Sequence, residues 1–226
     1  LKPTVYTQEH PLYVSEHAEG SYDFVRMRNV KNGMWTKFPN YYRKNSKDLD
    51  ISIWDKYKSN KVSTNPLHDE DFWWFVGHWL GDGFNNKQGY NYTIYNSFGI
   101  NEAEYVDKYK SIVSRLFSRN ACLKKQNGGN THEFEHKQLL FVLEDNFGKY
   151  ADGKYISEWV KYIPDVYKKY LILGYLDSDG SVYKDRNKLR GSFTSINKTL
   201  LDDIQDILFS LGLVSNLCFG SPSKKY

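Results

Sequence analysis

Cysteine is nearly absent from this chain: Cys122 and Cys218 are the two among 226 residues. Two thiols supply neither a disulfide framework nor a four-ligand zinc site, and such sparing use fits a reducing compartment. Long apolar runs are missing too. None approaches the roughly 18 residues that cross a bilayer, and Leu1-Lys2-Pro3-Thr4 does not open a signal peptide. The expectation is an intracellular protein with no membrane partner. Nor is one sign of charge in excess, since 31 basic residues face 27 acidic ones and leave only +4. That balance alone does not point to nucleic acid. What is plentiful is tyrosine, with 19 residues in an aromatic share of 17%. Tyr offers a polar partner both a stacking face and a hydroxyl, although an aromatic-rich core would account for the same number.

The informative pattern is a pair. Phe75-Val76-Gly77-His78-Trp79-Leu80-Gly81-Asp82-Gly83 and Ile172-Leu173-Gly174-Tyr175-Leu176-Asp177-Ser178-Asp179-Gly180 are variants of one motif. Each is mostly bulky and apolar, carries Gly at its third position, and ends in a small residue, an Asp and a Gly. Asp82 and Asp179 lie 97 positions apart. After each Asp-Gly comes a polar stretch, then an Ile-Asn pair (Ile100-Asn101, Ile196-Asn197), then an amphipathic helix. The first helix has its apolar face at Tyr105, Tyr109, Ile112, Val113 and Leu116. The second has Leu200, Ile204, Ile207, Leu208 and Leu211. Three matched features in one order read as two similar halves.

Residues 1–62 differ, with short alternating segments such as Val5-Tyr6-Thr7 and Tyr22-Asp23-Phe24-Val25-Arg26-Met27 between Asn-Gly and Pro breaks, the pattern of a small β-rich unit. Residues 59–70 read as a linker, after which Asp69 or Asp71 caps a helix running to about Leu80. The expected first repeat, about 69–160, is helix, hairpin, helix, hairpin, helix. The second, about 161–226, is expected to stop before its second hairpin is complete.

The motif suits a particular chemistry. Gly77 and Gly81, like Gly174 and Ser178, are four apart and share one helical face, so two such helices can approach without side chains holding them off. Close packing would bring the C-terminal ends together and set Asp82 beside Asp179. Two carboxylates so placed do not both ionise cheaply without a cation. Mg²⁺ is held by one or two carboxylates plus phosphate oxygens, which suits metal-dependent phosphodiester hydrolysis. Two buried helices ending in ordinary Asp-Gly turns would also fit one copy, but duplication within matched flanks outweighs that. An EF-hand starting at Asp177 fails, because Val182 falls where Gly is needed and Lys188 where Glu is needed.

His132-Glu133-Phe134-Glu135-His136 spells the zinc-peptidase pattern His-Glu-x-x-His, which on a helix would place both imidazoles on one metal with Glu133 as base. Its alternation after Gly128-Gly129-Asn130 instead reads as a strand, followed by a helix over about 137–146. In a strand the two His would be about 13 Å apart, too far to share one ion.

With these residues in view, the chain resembles the LAGLIDADG homing endonucleases, specifically the double-motif type carried within inteins. Besides the two motifs, Lys161-Tyr162-Ile163-Pro164 matches a Lys-x-Ile-Pro block ahead of the second motif, and residues 200–213 match the helix block after it. The resemblance implies an α+β fold of pseudo-twofold αββαββα repeats over residues 63–226. Their β-saddle would lie along a long, specific double-stranded DNA site, cut by a monomer acting as a pseudo-dimer. It implies Asp82, Asp179 and Lys161 as catalytic residues. Asp82, Asp179, Gly81 and Ser178 would lie around Mg²⁺, with Mn²⁺ as a substitute. More faintly, Thr7-Gln8-Glu9-His10 resembles the Thr-x-x-His block of Hint splicing domains. This implies that Thr7 and His10 belong to a partial Hint-like region at 1–62, with host exteins as partners. The implied setting is the cytoplasm or nucleoid of a microbial or virus-infected cell.

Candidate DNA contacts follow the motifs. Tyr90, Tyr92, Thr93, Tyr95 and Asn96 mix rings, hydroxyls and amide in the first hairpin, and Lys124, Lys125 and Gln126 join them from the next. Lys184, Arg186, Lys188 and Arg190 alternate in the second half, which puts all four on one strand face unless a turn intervenes. Lys and Arg neutralise phosphate or read guanine, and Asn and Gln read adenine. The leading expectation is therefore a Mg²⁺-dependent, site-specific DNA endonuclease. The alternatives are a non-cleaving relative, including an RNA-splicing cofactor, and more remotely the zinc peptidase.

Overall fold

The spine of the larger unit is two helices written by the same motif, and the sheets hang from their ends. The computed structural model describes residues 7–36, 49, 52–56, 65–126 and 129–218, with the backbone alone at 125, 126 and 129. It forms two units, Leu1–Tyr42 and Arg43–Tyr226. Val5, Tyr6 and the first half of the expected linker, 59–64, lie outside the described residues.

In the smaller unit, β1 (Pro11–Ser15), β2 (Asp23–Arg26) and β3 (Trp35–Thr36) form an antiparallel sheet in the order β2-β1-β3. Alternation puts Val14 on the buried side and Tyr13 on the open one. There Tyr13 packs against Tyr22 and Phe24, with centroids 5.5 and 5.0 Å away.

The larger unit begins with α1 (Ser52–Asp55) and α2 (Glu70–Asp82), then β4 (Gly83–Gln88), β5 (Asn91–Phe98) and α3 (Ala103–Phe117). It continues with β6 (Cys122–Gln126), β7 (Gly129–Glu135), α4 (Lys137–Phe147) and α5 (Tyr150–Gly153). It closes with α6 (Asp165–Asp179), β8 (Gly180–Asp185), β9 (Lys188–Phe193) and α7 (Lys198–Ser210). All strands pair antiparallel. The first half carries a four-stranded sheet, β4-β5-β7-β6, and the second a single hairpin, β8-β9. Each motif helix thus runs directly into a hairpin, as the repeat predicts.

Asp69 caps α2 by accepting from Asp71 N at 2.9 Å, and Arg115 from α3 grips both Asp69 and Asp71. Every residue from Phe72 to Leu80 is buried, because α2 lies between its own sheet and α6. Phe75 packs on Tyr109 and Phe117, and Trp73 on Trp159 and Tyr167. Each such ring contributes on the order of 2–3 kcal/mol by leaving water. Trp54 of α1 joins this core against Phe72 and Phe117, so the segment around it packs with the second unit.

Candidate active site and nucleic-acid face

The motif helices touch backbone to backbone at their small residues. A methyl on Gly77 would collide with the carbonyl oxygen of Leu171, and one on Gly174 with that of Trp74. Farther along, a methyl on Gly81 would collide with Ser178 and reach within 3.3 Å of Asp179 N. The glycine stripe therefore sets the approach of α2 and α6 and delivers both C-terminal aspartates to one place. Asp177 points elsewhere: its carboxylate accepts from Trp74 Nε1 at 2.7 Å, tying α6 to α2.

Asp82 and Asp179 are half-buried. Burial pushes the Asp82 carboxyl up to about 6, and the charges of Asp179 and Glu102 add to the rise. Burial likewise raises Asp179. Both feel an opposing pull from Lys154, a residue that the sequence reading did not select. Its ammonium is buried, and burial lowers it to about 8 against the pull of the two aspartates. Lys154 Nζ donates to Trp79 O (2.8 Å), Leu80 O (3.0 Å) and Gly83 O (2.7 Å), with Gly81 O at 3.4 Å. These are the last carbonyls of α2 and the one just beyond, where a cation complements the helix dipole. Gly81 and Gly83 flank Asp82, so the lysine grips the chain on either side of it.

Lys161 is not brought to the aspartates. Its ammonium binds Asp203 (2.8 Å), Asp206 (3.0 Å) and Glu158 (3.5 Å); burial acts to lower its pKa, but Asp203 and Asp206 outweigh that and raise it. The reason lies in the backbone: Pro164 opens α6 at once, leaving Lys161 in a 3-10 turn over α7. Asp203 also accepts from Ile156 N at 2.9 Å, so the aspartate itself ties α7 to the segment that carries Lys154.

The pair of half-buried carboxylates, each driven by burial toward its protonated form, suits a divalent ion. Among the described residues no group of three or more His, Cys, Asp or Glu gathers to hold a metal, so the protein's own ligands here are the two carboxylates and the main chain beside them.

On the first sheet the register puts Asn86, Thr93 and Glu135 abreast, and likewise Phe84, Tyr95, Glu133 and Cys122. An open cavity of about 430 Å³ lies over this outer face, lined by Thr93, Tyr95, Asn86, Gln88, Lys124 and Glu133. Thr93, Tyr95 and Lys124 therefore belong together, with Lys124 Nζ 3.4 Å from Tyr95 OH and 3.5 Å from Glu133. Tyr92 and Asn96 do not join them. Strand alternation turns them inward, where Tyr92 packs on Phe141 and the fully buried Asn96 Nδ2 meets His78 Nδ1 at 3.1 Å. Tyr90 stands at the hairpin tip, 95% exposed. The side chains of Lys125 and Gln126 lie outside the described residues.

In the second hairpin the turn does intervene. Arg186 and Asn187 both have positive φ (45° and 68°), the geometry of a two-residue hairpin turn. Lys184 consequently pairs with Leu189 on one face, while Lys188 and Arg190 share the other with Asp185 and Tyr183. Arg190 is ion-paired with Asp185 at 2.7 Å. The four basic residues thus do not form one row.

His132–His136 is no helix. His132 sits in β7 packed on Phe98, and His136 caps α4 by accepting from Leu139 N. Thr7 and His10 lie on an exposed turn closed by His10 N donating to Thr7 O at 3.0 Å. No helix among the described residues is long and apolar enough to cross a membrane.

Comparison with known proteins bears on the same region. A family model described as a LAGLIDADG-like domain matches residues 167–221. The chain is similar to the DNA-directed RNA polymerase subunit Rpo1C of Methanocaldococcus jannaschii, 28% identical over 170 residues, covering 74% of this chain and 19% of that protein. It is also similar to the ATP-dependent DNA helicase Hel308 of that organism, 24% identical over 211 residues, covering 93% and 16%. The chain thus spans under a quarter of either relative. Among solved structures, variants of the homing endonuclease I-DmoI superpose with a TM-score of 0.51 at 14% identity, covering 69% of this chain and 84% of that one. I-DmoI in complex with DNA and Mn matches with the same score and identity, covering 68% and 84%. The larger unit therefore shares the fold of LAGLIDADG homing endonucleases.

Proposed function

We propose that this chain is a site-specific DNA endonuclease that makes double-strand breaks by metal-dependent phosphodiester hydrolysis. The observation that carries the reading is the pair Asp82 and Asp179, set side by side by a duplicated helix motif, each copy leading into an antiparallel β-hairpin. Asp82 and Asp179 would hold a divalent cation, Mg²⁺ or Mn²⁺, with the main chain at Gly81 and Ser178 beside it. Bound there, the ion would offset charge on the scissile phosphate and acidify a water molecule. The remaining work falls to the protein. The outer face with Thr93 and Lys124, where the buried Tyr95 stacks on Phe84 and supports Lys124, and the face with Lys188 and Arg190 would hold the groove and the phosphates. Lys154 replaces Lys161 as the active-site lysine. With its protons shared among four carbonyls, it fixes the backbone around Asp82 and contributes positive charge at the site.

We infer residence within an intein from three supports. Related segments occur as a small part of two proteins of unlike activity, a polymerase subunit and a helicase, as an inserted element would. Thr7 and His10 share one turn in a separate β unit. The motif blocks follow in the intein order. Retention of both aspartates favours the enzyme over a non-cleaving relative that binds nucleic acid.

The test is cleavage of a DNA library containing the uninterrupted host-gene junction, with Mg²⁺ or with EDTA. Wild type should cut only with the ion. Asp82→Asn and Asp179→Asn should each bind without double-strand cleavage, and equal cutting by either variant would sink the mechanism.

A further inference from the structure

Asn197 follows the exposed Ile196 and precedes α7, and in sequence it serves only as a repeat marker. In the structure its buried side-chain amide does two separable things. Its Oδ1 accepts from Leu200 N at 3.2 Å, capping α7. Its Nδ2 is turned back onto the segment that carries Lys154, with Lys154 O at 2.6 Å, Asp152 O at 2.9 Å and Ala151 O at 3.5 Å. The cap needs only an acceptor. The carbonyl cluster needs a donor, and Asn supplies both from one planar group.

We infer that Asn197 is a positioning residue, through which the second repeat holds Lys154 against the end of the first motif helix. This rests on the active-site role given to Lys154. The segment is short and irregular, lying between the four-residue α5 and a 3-10 turn, so helix geometry does not place the lysine. Its other supports act beyond Lys154. Tyr155 N and Ser157 N donate to α4 at Phe147 O and Asn146 O, Tyr155 OH and Ser157 Oγ donate to Asp145 O and Asn146 O, and Ile156 N donates to Asp203. Asn197 binds the carbonyl of Lys154 itself. Because Lys154 Nζ lies within 3.4 Å of four carbonyls around Asp82, a small shift of its backbone would break several of those contacts together.

Asn197→Asp separates the two functions: the cap acceptor stays and the donor to the carbonyls goes. Two readouts apply. In the protein without DNA or metal, amine-reactive labelling resolved by mass spectrometry should find Lys154 protected in wild type and labelled severalfold faster in the variant. In single-turnover cleavage with Mg²⁺, the variant should cut at least about tenfold more slowly while its DNA affinity stays within about twofold, the mark of misplacement rather than lost binding. Added to Lys154→Met, Asn197→Asp should slow cleavage no further, since its effect passes through the lysine. Asn197→Ser, which keeps a cap oxygen, stands in if Asn197→Asp fails to fold.

Wild-type labelling and rate in the variant would overturn the inference, as would full additivity with Lys154→Met. If Lys154→Met itself cuts at the wild-type rate, the active-site role of Lys154 falls. In that case the labelling result alone decides whether Asn197 places the lysine.

Discussion

Gly77 and Gly174 form a reciprocal pair across the two motif helices. A methyl on Gly77 would strike Leu171 O and stand 2.8 Å from Tyr175 N, and one on Gly174 would strike Trp74 O and stand 2.9 Å from His78 N. Each collision is with main chain three residues ahead of the other glycine, so neither helix can yield by turning a side chain. Gly77→Ala or Gly174→Ala should therefore lower the unfolding free energy by about 3 kcal/mol, the upper part of the range for overpacking. Gly153→Ala, with nothing within 4 Å, should leave stability unchanged or raise it by roughly 0.5 kcal/mol. Urea denaturation of the three variants checks both expectations.

Lys154 and Lys161 make opposite predictions. Lys154→Met leaves buried carbonyls at the end of α2 without their donor, at about 1–3 kcal/mol for each group left unsatisfied. It should also lower the cleavage rate sharply. Lys161→Ala, at the rim of α7, should cost stability while retaining cleavage of the same DNA at close to the wild-type rate. Loss of cutting by the second variant with its fold intact would restore Lys161 to the active site.

How much of this was legible in the sequence follows from which forces are local. The small-xxx-small spacing, the Asp-Gly ends and the helix that follows each hairpin are set within one turn or one strand, and they read directly. Side-chain direction along strands was partly legible. Alternation separates Thr93 and Tyr95 from Tyr92 and Asn96, which the candidate DNA contacts pool. However, the row Lys184, Arg186, Lys188 and Arg190 is broken by a turn whose positive φ values fall on Arg and Asn rather than on a signalling Gly. Lys154 was hidden for a different reason. Lys154-Tyr155-Ile156-Ser157 has the Lys and the Ile of Lys-x-Ile-Pro but not its Pro, and the complete block seven residues later, Lys161 to Pro164, drew the assignment. What decides between them is the fold of an irregular segment held by Asn197 and Asp203, both more than 40 residues away.

The second hairpin yields a test of the DNA face. Lys188 is exposed and shares a face with Tyr183 and Arg190, which stand where Asn86 and Thr93 stand in the first half. Lys184 is exposed on the opposite face. If the first of these faces meets phosphate, Lys188→Ala should reduce the slope of log affinity against log salt by about 1. Lys184→Ala should leave that slope unchanged. Filter binding or fluorescence anisotropy over a salt series measures both, and equal slopes for the two variants would mean that the hairpin does not present this face.

Acid stability separates two buried groups of opposite sign. Burial holds His78 down to about 4 from an ordinary 6.5, and its Nδ1 lies against Asn96 Nδ2. Between those values the unfolded chain binds the proton and the native chain does not. The stability that His78 contributes is therefore complete above about pH 6.5 and is lost as pH falls through 4. Asp82 runs the other way. Its carboxyl is raised to about 6 from 3.8, so without a cation the native state keeps a proton that the unfolded chain has released, and stability falls as pH rises from about 4 to 6. His78→Phe should remove a slope of up to about 1.4 kcal/mol per pH unit that favours higher pH. Asp82→Asn should remove one that favours lower pH. Urea denaturation of the two variants and wild type in EDTA, at half-unit steps from pH 4 to 7, measures these differences. Parallel curves for wild type and Asp82→Asn would show that the carboxylate is solvated rather than held in the packed end of the motif helices.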